Sequence, residues 1–227
     1  AASFNETAIS DDSPWRKGVG IASCWYGCGN TSLPNPSTMR MGITADGRII
    51  LHQGAMDIGQ GANTVITQIA ADALGVPVHD VHILGGDTDL TPDCGKTSAS
   101  RQTFVSGKAA MLSGMALREM VLRHGNVDAN AKIAFDGAAL TLADSVGGTL
   151  RIALADMPVN DYGYVFMAEE TYDPPTSPLD EKGQGLPYAV FGYGAQMVEL
   201  SVDSALGRVR LDKITTAHDV GRAINPL

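Results

Sequence analysis

Residues 57 to 102 constrain the fold more than any other stretch, because two glycine- and hydroxyl-rich turns there each run into a helical pattern. The first turn is Met56-Asp57-Ile58-Gly59-Gln60-Gly61. After it, Val65, Ile69 and Ala73 fall one helical turn apart with Ile66, Ala70 and Leu74 beside them, which predicts a helix from near Asn63 that buries this stripe. Gly75 and Pro77 end it. The second turn is Cys94-Gly95-Lys96-Thr97-Ser98-Ala99-Ser100, opening a longer helix from about Arg101 to Arg123. Val105, Ala109, Leu112, Ala116 and Met120 lie along one side of it, with Phe104, Met111 and Met115 adjacent, and the methionines read as core fillers. Small residues at both helix starts leave the first backbone N–H groups accessible at the positive end of the helix dipole. Two such ends in one domain can hold an extended polyanion, such as the diphosphate of a dinucleotide. The same residue types also serve tight turns and N-caps that bind nothing, and each turn taken alone leaves both readings open.

Around this stretch the chain alternates between period-2 and period-3.6 patterns. Residues 1–16 are polar, acidic and aperiodic, and read as a tail or linker, with one domain over 17–227. A short apolar run at 19–26 predicts a buried strand, and the glycines and prolines of 27–37 a loop. Met39, Met41 and Ile43 alternate, and Asp46-Gly47 turns that strand into another over 48–52. Strands follow at 81–84, at 132–135 and 139–142 as a hairpin, and at 166–172, with a turn and short element over 147–157. A long loop spans 173–187, and strands at 188–202 and 208–214 close the chain. The fold class is α+β, with mixed sheets, hairpins and two principal helices whose N-termini would face a shared ligand.

Charge narrows the partners. With 16 basic and 25 acidic residues the net charge is −9, which argues against a non-specific nucleic-acid binder. No run of 18 apolar residues predicts a membrane span, and no charged and apolar leader is visible, so the reading is cytoplasmic with the periplasm left open. The chain starts Ala1-Ala2-Ser3 and stops at Leu227, directly after a motif, a pattern of processing or excision. Three cysteines do not make a disulfide framework. Cys24 and Cys28 have no further ligands nearby and read as structural thiols, while the five histidines show no metal-site spacing. Asp87 and Asp89 are close enough to suggest a metal or acid–base pair, but a strand-to-loop turn explains them as well. Glu169 and Glu170 are neighbours on a strand and face opposite ways. Gly95-Lys96-Thr97 has the tripeptide of a phosphate loop without its upstream glycine. From residues alone, the chain shows an anion or dinucleotide site and no evident catalytic machine, and no metal ligand set.

Three segments carry a resemblance: Asp57 to Thr64 (Asp-Ile-Gly-Gln-Gly-Ala-Asn-Thr), Asp93 to Thr103 (Asp-Cys-Gly-Lys-Thr-Ser-Ala-Ser-Arg-Gln-Thr) and His218 to Pro226 (His-Asp-Val-Gly-Arg-Ala-Ile-Asn-Pro). In this order, and with Cys24-Trp25-Tyr26-Gly27-Cys28-Gly29-Asn30, the sequence resembles the molybdenum-binding subunit of the xanthine dehydrogenase and aldehyde oxidase family from about Lys17 to Leu227. The patch between about Asn126 and Met157 is less recognisable. The resemblance implies a molybdenum ion held on the dithiolene of a molybdopterin, in the cytosine dinucleotide form usual in bacteria. It implies hydroxylation of an aldehyde or nitrogen heterocycle with oxygen from water, with electrons leaving through iron–sulfur clusters, often to FAD, on partner domains or subunits. By matching motifs, Gly59, Gln60 and Gly61 would contact the pterin or its phosphates. Thr97, Ser98, Ala99, Ser100 and Gln102 would line the dinucleotide and approach the metal, which the cofactor's sulfurs hold.

One departure bears on catalysis. The family's catalytic glutamate lies in a segment well downstream of the Asp-x-Gly-x-x-x-Asn-Pro motif, so the expected base falls outside this chain, and the upstream half of the large subunit is absent too. The expectation is therefore a piece of a molybdenum-dependent oxidoreductase that needs the remainder of its molybdenum subunit, and is inactive alone. A module that binds or delivers the cofactor without catalysis is the alternative, since it would need the same site and no base.

Overall fold

The computed structural model describes residues 12–29 and 33–226. Among these residues two compact units emerge, one made of residues 12–27 and 190–223, the other of 28–29, 33–189 and 224–226.

The first unit is a three-stranded antiparallel sheet in the order β1 (Trp15–Gly27), β9 (Phe191–Asp203), β10 (Arg208–Asp219). β9 is the central strand, and its register runs from Trp15↔Asp203 to Gly27↔Phe191 on one side. On the other it runs from Arg208↔Asp203 to Asp219↔Tyr193, with a bulge between Leu211 and Lys213. The apolar run at 19–26 is a strand but not a buried one, since Ile21 is 68% and Trp25 72% exposed. An apolar run reports strand propensity; burial also needs other residues packed on the strand, and Ile21 and Trp25 stay exposed. The expected tail at 1–16 lies outside the described residues as far as residue 11, and Trp15 and Arg16 already belong to β1.

The second unit holds the core. Its main sheet has the order β4 (Val81–Gly85), β3 (Ile49–Gln53), β2 (Ser37–Thr44), β8 (Tyr164–Tyr172). β2 pairs antiparallel with both β3 and β8, whereas β3 and β4 are parallel, from Ile49↔Val81 to Gln53↔Gly85. The alternation Met39, Met41, Ile43 points one row of side chains into the core, where all three are fully buried. Parallel strands need a crossover, and α1 (Ala62–Leu74) supplies it between β3 and β4. Gly75 closes α1 in the left-handed conformation at φ 85°, its N–H bonded to the Ala71 carbonyl. A separate meander, β5 (Lys132–Asp136), β6 (Ala139–Ala143) and β7 (Thr149–Ala153), confirms the expected hairpin and its following short element.

The second helix departs from expectation in phase and in its start. A π-helical turn over Gln102–Ser106 precedes α2 (Gly107–Gly125). α2 buries Ala109, Ala110, Ser113, Gly114, Leu117 and Val121, while Met115 and Met120 are 51% and 40% exposed, so these two methionines are not core fillers. The reason is close approach. A Cβ on Gly114 would lie 2.8 Å from Ala73 Cβ and 2.9 Å from the Ala70 carbonyl oxygen, and one on Gly107 would lie 2.8 Å from Ile69 Cδ1. Two helices this near select small residues at the crossing and turn the larger ones outward. α1 fully buries Ile66, Ala70 and Leu74 of the expected stripe, with Val65, Ile69 and Ala73 half-buried beside them.

Candidate functional site

The two turns singled out by the sequence lie at equivalent places in the second unit. The first follows the carboxyl end of β3 and leads into α1; the second lies in the loop that follows the carboxyl end of β4 and leads into the π-turn and α2. Loops after the carboxyl ends of parallel strands are where α/β units bind ligands. The parallel pairing of β3 and β4 was not evident in the sequence, although a strand–helix–strand order with a short α1 is its signal.

Both loops open onto one cavity of about 410 Å³, to which Gln60, Thr97, Ser98, Ser100 and Gln102 contribute, together with Ile58, Ala62, Arg101 and Thr103. Gly59, Gly61 and Ala99 do not line it; they shape the turns, with φ of 102°, 81° and 54°. A Cβ on Gly59 or Gly61 would meet nothing within 4 Å, so these glycines are required by backbone conformation and not by crowding.

The first loop is braced from within. Asp57 Oδ1 accepts from the N–H groups of Gly59 at 2.9 Å and Gly61 at 3.3 Å, and Oδ2 accepts from Asn63 N–H at 3.0 Å. Bonds from Asn63 first, then Gly59 and Gly61, hold the Asp57 carboxyl below the usual range. The N-terminus of α1 therefore already carries its own anion, and its N–H groups at Gly61 and Asn63 are not open to another, contrary to the expectation of a free helix end. Gln60 closes the same turn: its Oε1 accepts from Ile58 N–H at 2.6 Å and its Nε2 donates to the Met56 carbonyl at 3.2 Å. Beneath the loop, buried Gln53 donates to Asn63 Oδ1 at 2.6 Å, while its own Oε1 has no partner among the described residues.

The second loop is different in kind. Gly95, Ala99 and Ser100 all have left-handed φ, of 66°, 54° and 53°. For alanine and serine this conformation costs on the order of 1–2 kcal/mol each. Among the described residues none accepts a hydrogen bond from the backbone N–H of Thr97, Ser98, Ala99 or Ser100. Thr97 Oγ1 donates to the Met56 carbonyl at 2.8 Å and accepts from Gln102 Nε2 at 3.2 Å, tying the two loops together. Gln102 continues inward, its Oε1 accepting from Ser106 Oγ, which lies 2.7 Å from Ser37 Oγ.

Sequence reading missed Arg101, which it treated as a helix-opening residue. Its side chain is 1% exposed. Nη1 donates to the Cys94 carbonyl at 2.6 Å and the Lys96 carbonyl at 3.2 Å, Nη2 to the carbonyls of Asn35 at 2.9 Å and Pro36 at 2.6 Å, and Nε to Asn35 Oδ1. The available signal was an arginine directly after a run of small residues, with no acidic neighbour on the same helical face.

The other candidate groups have local roles. Asp87 Oδ1 accepts from Asp89 N–H at 2.9 Å and Leu90 N–H at 3.2 Å, the turn reading of that pair. Glu169 pairs with Arg40 at 2.6 Å. Buried Cys94 accepts from Gly54 N–H at 3.1 Å and donates to the Thr38 carbonyl at 3.0 Å, and burial pushes its thiol pKa up. Cys24 is exposed and Cys28 half-buried, and neither forms a disulfide among the described residues. Among the described residues no group of three His, Cys, Asp or Glu side chains is placed to hold a metal ion, and no helix is long and apolar enough to cross a membrane.

Against known proteins, residues 2–227 match the family model described as the molybdopterin cofactor-binding domain. The chain is 32% identical over 212 residues to the "Probable hypoxanthine oxidase XdhD" of Escherichia coli (strain K12), covering 93% of this chain and 21% of that protein. It is 30% identical over 228 residues to the "Xanthine dehydrogenase molybdenum-binding subunit" of Escherichia coli O157:H7, covering 93% of this chain and 28% of that one. The fold matches the aldehyde oxidoreductase from Desulfovibrio gigas with a TM-score of 0.75 at 25% identity, over 99% of this chain and 22% of that chain. The chain thus spans between a fifth and a third of the length of these relatives. Motifs, fold and family model agree, and the chain belongs to the molybdopterin cofactor-binding domain family, in the molybdenum-binding region of oxidoreductases of the xanthine dehydrogenase and aldehyde oxidase type.

Proposed function

We propose that the cavity between the 57–61 and 95–102 loops holds the phosphate-bearing part of the molybdopterin cofactor, in its cytosine dinucleotide form. The observation that carries this reading is the run of N–H groups from Thr97 to Ser100 that find no acceptor among the described residues, in a loop whose Thr97, Ser98 and Ser100 line a cavity shared with Gln60. Successive N–H groups in left-handed and turn backbone form an anion-binding concavity, and hydroxyls add donors for phosphate oxygens. The residues fit such a group: the donors are in place, the charge beneath them at Arg101 is positive, and the orphaned acceptor at Gln53 is a further polar atom under the first loop.

When bound, the molybdenum–dithiolene cofactor supplies the redox chemistry that adds water-derived oxygen to an aldehyde or nitrogen heterocycle. This chain's residues bind and orient. Ser98 and Ser100 donate to phosphate, and the loop N–H groups surround it. The amide of Gln60 can donate and accept at once and so fixes the orientation of the pterin end, at the expense of its bonds to Ile58 and Met56. Proton removal at the reacting centre belongs to a glutamate outside these residues, and general-base help of that kind is commonly worth about 10²–10⁴-fold in rate. The electron path runs to iron–sulfur and FAD-carrying partners.

The test is Ser98→Ala with Ser100→Ala in the molybdenum enzyme that contains this chain. Molybdenum and cytidine monophosphate released on acid hydrolysis are measured per mole of protein. Both should fall together by at least fivefold while the melting temperature holds. Release of a different nucleotide, or of none, rejects the cytosine dinucleotide form, and unchanged content of both rejects the site. A pure binding or delivery module would keep stoichiometric cofactor and show no turnover with any aldehyde or heterocycle once partners are added.

A further inference from the structure

We infer that Arg101 is the positioning residue of this site: its buried guanidinium holds the 94–100 loop in the strained shape that brings Thr97, Ser98 and Ser100 to the cavity. What the loop binds rests on the phosphate reading above; how the loop is held does not.

A guanidinium has five N–H donors in a fixed plane, and here each is used. Four of the five bonds end on backbone carbonyls of two separate segments, Asn35–Pro36 and Cys94–Lys96, and the fifth on the Asn35 side chain. Arg101 thereby clamps the loop to the residues that lead into β2. Gly95 lies flat on the guanidinium: a Cβ there would fall 2.6 Å from Nη1 and 2.9 Å from Cζ. Asn35 is itself held, its N–H donating to Asp173 Oδ1 at 2.8 Å, and the far side of the loop is fixed by Gly29 N–H donating to the Ala99 carbonyl at 2.8 Å. Left-handed Ala99 and Ser100 persist only where the surroundings over-determine them, and these contacts are the over-determination.

Acceptor chemistry explains why arginine is needed. The hydrogen-bond acceptors of the guanidinium are neutral oxygens, and the carboxylates of Asp93 and Asp173 act on it only through space. Arginine therefore serves the site first as a clamp. Lysine could supply the charge but not a planar fork spanning two segments.

The experiment compares wild type, Arg101→Lys, Arg101→Ala and Leu117→Ala, the last a fully buried α2 residue outside the site that serves as a stability control. Inorganic pyrophosphate affinity is measured by titration calorimetry, and hydrogen exchange is followed at the Gly29 amide, which reports the Ala99 contact. Arg101→Lys should lose at least tenfold in pyrophosphate affinity and speed Gly29 exchange at least fivefold, whereas Leu117→Ala should stay within twofold in affinity. Millimolar guanidinium should restore binding to Arg101→Ala and leave Arg101→Lys unchanged. Should the arginine variants not fold, Asn35→Ala carries the test, with both effects in the same direction and smaller. Wild-type affinity and Gly29 exchange in Arg101→Lys would overturn the inference. Fast Gly29 exchange in Arg101→Lys together with no pyrophosphate binding by wild type would uphold the clamp and reject the phosphate reading.

Discussion

Single residues divide the site into a wall that is internally satisfied and a wall that is not. Asp57 belongs to the first. Because its folded carboxyl titrates below the unfolded value of about 3.9, the stability it confers is complete above that value and is lost as pH falls through the folded one. Asp57→Asn should therefore lower the melting temperature at pH 7, and the gap from wild type should close toward pH 3; a gap that is constant with pH would show that charge is not what braces the turn. Gln60 belongs to the same wall, and its two bonds to Ile58 and Met56 hold the turn closed. Gln60→Ala should leave the far-UV spectrum unchanged and reduce molybdenum content several-fold, measured by elemental analysis. Equal molybdenum content would reduce Gln60 to a turn-closing residue.

At the scale of elements, the crossing of α1 and α2 sets the distance between the loops that precede them. Gly114 permits that crossing, with Ala73 Cβ and the Ala70 carbonyl already within 3 Å of where a Cβ would be. Gly114→Val should destabilise by about 1–3 kcal/mol through overpacking, read from urea unfolding. Met115→Ala, on the exposed face, should change stability by no more than about 0.5 kcal/mol. These two positions also show where sequence legibility ended. The helices, the β2–β3 hairpin with its Asp46-Gly47 turn and the β5–β6 hairpin were readable because period and turn chemistry are local. The face that α2 buries was not, because Gly114 and Ser113 score poorly for hydrophobicity and are chosen by the approach of α1, a contact some 40 residues away in sequence. The parallel pairing of β3 with β4 is non-local in the same sense. Of the site, the two loops were legible from composition, and Asp57 just ahead of the first glycine was readable as a residue that caps or braces its turn; Arg101 was not, since its role depends on which carbonyls the fold brings within reach.

On the scale of the molecule, the β1–β9–β10 unit carries apolar side chains on both faces. Val209, Leu211 and Ile214 are 63%, 60% and 56% exposed and pair in register with Val202, Leu200 and Val198; Trp25 and Tyr193 pair on the opposite face, 72% and 53% exposed. Contiguous apolar surface of this kind marks contact with other protein. The chain by itself should associate with rising concentration, as seen by sedimentation velocity, and Leu211→Glu with Ile214→Lys should shift it toward monomer. The central claim concerns the other unit, that the loops at 57–61 and 95–102 hold the cofactor through backbone N–H groups of the second. Hydrogen exchange on the cofactor-loaded and cofactor-free protein tests it most directly, because the amides of Thr97 to Ser100 have no acceptor among the described residues to protect them. Loading should slow exchange at these four amides at least tenfold. If they exchange equally fast in both forms while protection appears instead on the hollow lined by Cys24, Gly194 and His218 of the first unit, the cofactor is held elsewhere and the claim is wrong.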